Sequence, residues 1–216
     1  MSFPVAMNNI DPVHRAQRFF ERLAINAEQW PNSASQSSHQ YLPLTHFLVA
    51  VSLVLHGLMV IDGEVHWTEE QLIQQILGEF WQADRAVEQK ISKFLEDINL
   101  HKLYLNPAVL EHLSETLIAE EKCLIIALGC SLSVIDGDMN PRENLYLQNL
   151  AQRLNISLSI FDLIQSVFDA PDTIDAPRAA QLKRVLSPDI LAETAPPLQK
   201  IALDILKAFE HFDHDN

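Results

Sequence analysis

Leu58-Met59-Val60-Ile61-Asp62-Gly63-Glu64-Val65-His66-Trp67-Thr68-Glu69 returns 74 residues further on as Leu132-Ser133-Val134-Ile135-Asp136-Gly137-Asp138-Met139-Asn140-Pro141-Arg142-Glu143. Leu, Val, Ile, Asp, Gly and Glu recur in register, and Glu64 meets Asp138 with its charge kept. Self-similarity at a fixed offset marks a repeated supersecondary unit. Each copy follows a strongly apolar stretch. Leu44 to Ile61 carries no Asp, Glu, Lys or Arg, and residues 118–135 enclose Cys123-Leu124-Ile125-Ile126-Ala127-Leu128-Gly129-Cys130. Each copy leads into an amphipathic segment, 67–82 after the first and Asn140-Pro141 to Leu154 after the second. Nothing alternates with period two for long enough to build a sheet. The expectation is an all-α bundle of two pseudo-symmetric helical hairpins, with extra N- and C-terminal helices.

On either side of the repeat the punctuation stays helical. Asp11-Pro12 reads as N-cap and first helical residue of a helix reaching about Asn26. Residues 27–42 are polar and Ser-rich and read as a linker. A further amphipathic helix runs from Asp84 to about Leu100, and Asn106-Pro107 opens a helix leading through 118–135. Ser157 caps another to about Phe168. Pro171, Pro177, Pro188, Pro196 and Pro197 cut the C-terminal region into short pieces, and a last helix spans about Leu198 to His211. Three regions are expected: 1–41, an N-terminal helix and linker; 42–170, the repeat-bearing helical domain; and 171–216, a Pro-rich segment with the C-terminal helix.

The charge balance of 15 − 29 = −14, with pI about 4.9, removes the electrostatic footprint of a nucleic-acid binder. Five glycines form no phosphate-cradling loop. Cys123 and Cys130 fall at helix-face spacing, read as small buried hydrophobes, and fit a reducing compartment. Residues 1–25 hold no apolar signal block. The uncharged run 44–61 is long enough to be a spanning candidate. It contains His46 and His56 and lacks a basic flank, so a buried central helix is preferred. A cytoplasmic protein without a transmembrane span is therefore expected, with peripheral membrane association left open.

The repeated loops carry the chemistry. Each reads D-G-[E/D]-x-[H/N]-x-x-E, offering Asp62, Glu64, His66 and Glu69 in the first copy and Asp136, Asp138, Asn140 and Glu143 in the second. Alternate oxygen-bearing residues on a turning loop, with a Glu folding back from the next helical turn, are how hard divalent cations are held. The second copy is no EF-hand, because Pro141 stands where the loop glycine belongs and Leu147 where the bidentate Glu belongs. His66 would favour Zn²⁺ or Mn²⁺ over Ca²⁺ in its loop. A purely structural reading stands beside this one. Gly63 and Gly137 supply left-handed C-caps, and Asn140-Pro141-x-Glu143 is an N-cap with proline at N1 and a capping-box Glu at N3. Caps account for Glu69 and Glu143. They do not account for Asp62 with Glu64 and Asp136 with Asp138, since gathered like charges resist ionisation unless something neutralises them.

These residues resemble the tellurite-resistance TerB-like family. The resemblance rests on Ile61-Asp62-Gly63-Glu64…Glu69 and Ile135-Asp136-Gly137-Asp138…Glu143, each after a long apolar helix, and covers about 42–170. It is strongest from Val134 to Leu154, against the family's A-D-G-x-[ILV]-x-P-x-E-x-x-x-[IL]. It implies two pseudo-symmetric helical halves whose acidic loops gather into a metal-binding site. Carried over residue by residue, the ligands are Asp62, Glu64, Glu69, Asp136, Asp138 and Glu143, with His66 and Asn140 as further candidates. The family is linked to tellurite and other chemical stress, and related domains accompany J-domain chaperone regions and membrane-associated complexes. One departure touches the site: His66-Trp67 stands where the second copy has Asn140-Pro141.

The remaining histidines, His46, His56, His101 and His112 among them, form no i, i+4 pair around a Glu, and no G-x-S-x-G elbow occurs. Neither Cys has a nearby activator. The sequence therefore predicts a non-enzymatic module that binds a divalent cation (Ca²⁺, Mg²⁺, Mn²⁺ or Zn²⁺) and serves stress response or metal sensing through a protein partner. The alternative is a metal-independent interaction scaffold whose acidic loops are only caps.

Overall fold

In the computed structural model the described residues are 38–61, 102–105, 107–135, 139–169 and 174–210, and every regular element among them is helical. The helices are α1 (Ser38–Ile61), α2 (Pro107–Ser114) after a 3-10 turn at Leu103–Leu105, α3 (Ala119–Ser133), α4 (Pro141–Arg153), α5 (Leu158–Asp169), α6 (Ala176–Leu186), α7 (Pro188–Thr194) and α8 (Pro196–Glu210). Two compact units divide the chain, Met1–Leu42 and Pro43–Asn216, and the second carries the helix packing. The all-α expectation holds. The helices expected at 11–26, 67–82 and 84–100, and so the loop and second arm of the first hairpin, lie outside the described residues.

The two apolar stretches are apolar on every side because every side is covered. Phe47 to Leu55, Leu58 and Met59 of α1 are buried, and so is the whole run Cys123 to Cys130 of α3. Among the described residues no helix is long and apolar enough to cross a membrane. Helix α3 packs against α4, α5, α6 and α7, while α8 packs on α6 and α7. Leu147, Leu150 and Ala151 of α4, Phe161, Ile164 and Val167 of α5, and Leu182 and Leu186 of α6 are likewise out of water. So are Leu198, Ile201, Ala202 and Leu206 of α8, at helical spacing with Lys200, Asp204 and Lys207 left outside. Each fully buried aliphatic or aromatic side chain contributes roughly 1.5–3 kcal/mol.

Local chemistry sets the helix ends. Pro141, Pro177, Pro188 and Pro196 all stand in first turns, where a missing N–H costs nothing. Asp175 caps α6 by accepting from the Arg178 N–H at 3.0 Å. At the end of α4 the Ile156 N–H reaches the Ala151 carbonyl at 2.8 Å and the Asn155 N–H that of Gln152 at 3.0 Å, with Asn155 left-handed at φ 59°. That is a Schellman closure with asparagine in place of glycine. Ser187, at φ 35°, ends α6 and starts α7.

Three boundaries differ from the sequence reading. Ser38 to Leu42 belong to α1 rather than to a linker. Pro43, the sixth residue of α1, withholds an N–H from the His39 carbonyl, so the helix passes it at the loss of one bond near its start. The helix expected from Pro107 through 135 is broken at 115–118, where the Thr116 hydroxyl and N–H both turn back to the Leu113 carbonyl, at 2.8 and 3.0 Å. Glu121 then restarts the chain as α3 by accepting from the Ile118 N–H at 3.0 Å. Finally, α3 ends at Ser133 with Val134 as its C-cap, so Gly137 is not the residue that terminates it.

Candidate functional site

The two acidic loops leave from the ends of α1 and α3, and packing brings those ends together. Leu58 lies three residues before the end of α1 and Gly129 four before the end of α3. A β-carbon on Gly129 would stand 3.3 Å from Leu58 Cδ1 and 2.5 Å from Leu147 Cδ2. Adjacent in α1, Gly57 takes the ring of Tyr146 from α4, with Cζ 2.6 Å from where a β-carbon would be. At 1.5 Å per residue the helix ends at Ile61 and Ser133 lie only about 5 and 6 Å along their helices from this meeting point. Without side chains, Gly57 and Gly129 let α1, α3 and the first turns of α4 approach closely.

On α4 the arrangement is complete. Asn140 Oδ1 accepts from the N–H groups of Arg142 and Glu143, at 2.9 and 3.0 Å, and Glu143 Oε2 accepts from the Asn140 N–H at 3.0 Å. This is the capping box expected from the sequence, and it commits both lone pairs of Oδ1. Glu143 is 5 % exposed, so its carboxylate sits where water screens it poorly. Asp62, Glu64, His66, Glu69, Asp136 and Asp138 lie outside the described residues. Among the described residues no group of three or more His, Cys, Asp or Glu could hold a metal ion.

Glu121 was not singled out by its sequence context. It is 1 % exposed; Oε2 bonds the Ile118 N–H, and Oε1 is buried without a hydrogen-bond partner. Burial pushes its carboxyl up to about 7, against the smaller opposing pull of the Ile118 N–H. The usual capping signature was missing because Ile118, at the N-cap position, has no side-chain acceptor. Tyr146 was missed too, since an aromatic on an amphipathic helix gives no sign of which glycine it will meet. Burial raises its phenol.

The histidines behave as structural groups where they are described. His56 Nδ1 donates to the Ser52 carbonyl at 2.8 Å. Burial, and secondarily His112, lowers His46 and so favours the neutral imidazole. Cys123 and Cys130 are both free and buried, and desolvation raises each thiol, Cys123 to about 11. A buried thiol held this far from ionisation is no nucleophile.

Comparison with known proteins agrees with this architecture. The family model described as Tellurite resistance protein TerB matches residues 48–166, an interval that contains most of α1, all of α2 to α4 and most of α5, together with both copies of the repeated loop. No curated protein and no solved structure matches the chain. A match over more than half of the 216 residues shows that the chain belongs to the TerB tellurite-resistance family.

Proposed function

We propose that this protein is a non-enzymatic, cytoplasmic module that binds a divalent cation between its two acidic loops and acts in metal or oxyanion stress through a protein partner. The observation that supports it is the contact of Leu58 with Gly129, close to the ends of the two helices that precede the loops. Six carboxylates, from Asp62, Glu64, Glu69, Asp136, Asp138 and Glu143, would otherwise repel one another, and a cation offsets that cost. With α1 and α3 already in contact, an ion bridging the loops need not draw the two helices together. The ion would change the charge and stiffness of this end, and so its fit to a partner.

Calorimetric titration of Ca²⁺, Mg²⁺, Mn²⁺ and Zn²⁺ into the full chain tests this. Binding with one of them, lost in the Asp62→Asn, Asp136→Asn double variant while helicity is kept, is the expected result. No heat and no change in melting temperature with any of the four rejects it. The scaffold reading rests on the capping box at Asn140 and Glu143, which needs no ion. It expects partner binding untouched by the double substitution.

A further inference from the structure

The junction between α2 and α3 is closed by bonds between near neighbours. From 115 to 118 the chain leaves the helix, with the Thr116 hydroxyl and N–H turned back to the Leu113 carbonyl. The Ser114 hydroxyl likewise donates to the Glu111 carbonyl at 2.7 Å. α3 then starts at Ile118, whose side chain has no acceptor for a backbone N–H. Glu121 supplies the missing bond from the first turn, with Oε2 accepting from the Ile118 N–H. The Lys122 N–H closes on the Ile118 carbonyl beside it, at 3.1 Å.

The carboxyl that makes this bond is poorly placed to carry charge. Its other oxygen, Oε1, lies out of solvent without a hydrogen-bond partner. A buried charge left half uncompensated costs more than keeping the proton. The charges that act on Glu121 are Glu120 and Lys122 of its own helix, of opposite sign, and among the described residues no charged group of another helix acts on it. On α2, His112 and Glu115 face each other at 3.8 Å, and Glu111 pairs with Arg153 of α4. Burial therefore decides, and pushes the carboxyl up to about 7. When the proton does leave to solvent, the carboxylate must reach water. With Oε1 enclosed, it can do so only if the side chain turns out or the segment around it parts, and either loosens the Ile118 bond.

We propose that Glu121 is a proton-operated latch on the α2–α3 junction. With its proton on, the side chain stays in the core and Oε2 holds the start of α3. With the proton lost, the carboxylate turns to water and residues 115–121 open, while α4 to α8 keep their packing. Opening uncovers Leu117, which is buried in the closed form. The latch needs no ion, so it stands or falls apart from the cation reading.

The test is native-state amide hydrogen exchange of the full chain in EDTA, at about pH 5.5 and about pH 8, with and without low urea. Rates are corrected for intrinsic exchange. At the higher pH the Ile118, Lys122 and Cys123 amides should exchange through a local opening that urea barely accelerates. The Leu163, Ile164 and Val167 amides of α5 should need a larger opening that urea promotes. Protection at the junction should fall about tenfold or more between the two pH values. Glu121→Gln should abolish that fall, and Glu120→Gln, which removes only a neighbouring charge, should leave it in place. Circular dichroism checks that both variants are folded. The inference is overturned if junction and α5 amides share one urea dependence at about pH 8, or if Glu121→Gln keeps the parent's pH dependence. Should Glu121→Gln fail to fold, the urea dependence of the parent at the two pH values decides alone.

Discussion

The phenol of Tyr146 occupies the space a side chain on Gly57 would need, and this contact joins α1 to α4 across 89 residues of sequence. Ala is the better helix former by up to about 1 kcal/mol, so Gly57→Ala would stabilise α1 alone. Against Tyr146 it should instead cost about 1–3 kcal/mol through overpacking. In a Tyr146→Ala background the same substitution should be neutral or stabilising. Urea unfolding of the four proteins of this cycle measures the coupling, and a Gly57→Ala penalty that survives in the Tyr146→Ala background refutes the contact's role.

Asn140 and Glu143 hold the start of α4 by reciprocal bonds, and their substitutions separate capping from charge. Asn140→Ala should lower stability by about 1 kcal/mol. Glu143→Gln keeps an acceptor for the Asn140 N–H and should cost less than about 0.5 kcal/mol. If Glu143 contributes charge to the loops as proposed, Glu143→Gln should weaken the cation about tenfold while leaving denaturant midpoints nearly unmoved.

Glu121 gives the fold a pH dependence of unusual sign for a carboxylate. Its folded value of about 7 lies above the unfolded one near 4.5, because burial penalises the charge. Between those values the native state binds more protons than the unfolded state, so its contribution is full below about pH 4.5 and falls as pH rises to about 7. The loss is at most about 3 kcal/mol. Glu121→Gln, which keeps an acceptor for Ile118, should flatten the melting-temperature profile over this window and raise it at pH 8. A profile identical to the parent's would show that the carboxyl is not desolvated.

Cys123 and Cys130 should be silent toward an aromatic disulfide reagent in the native protein. Both are buried, and their thiols ionise well above the ordinary range. Reaction should follow the unfolding curve, with both thiols titrating together in urea. Fast modification of either one at pH 8 without denaturant would contradict the packing of α3.

How far the sequence could be read depended on the distance over which each interaction acts. Asn140-Pro141-Arg142-Glu143 announced its capping box because donor and acceptor lie within three residues. Pro177, Pro188 and Pro196 were legible only as breaks between short pieces, whereas they stand in the first turns of α6, α7 and α8. The break between α2 and α3 was not legible. It depends on Thr116 folding back to Leu113 and on Glu121 capping a helix whose N-cap residue, Ile118, offers no acceptor. The family was legible because the duplicated loop keeps its residues in register, and the match over 48–166 agrees with it.

Among the described residues the order of residues was enough to set what is local: helices, the capping box at the start of α4, and two strongly apolar helices. Packing in three dimensions chose which glycine meets which side chain, Gly57 with Tyr146 and Gly129 with Leu147 and Leu58. It also left Glu121 buried and its neighbour Glu120 only half-buried. The physical reason is that a cap is satisfied within one turn of backbone. A close approach or a lost hydration shell depends on every element packed around the site, and no short stretch of chain carries that information.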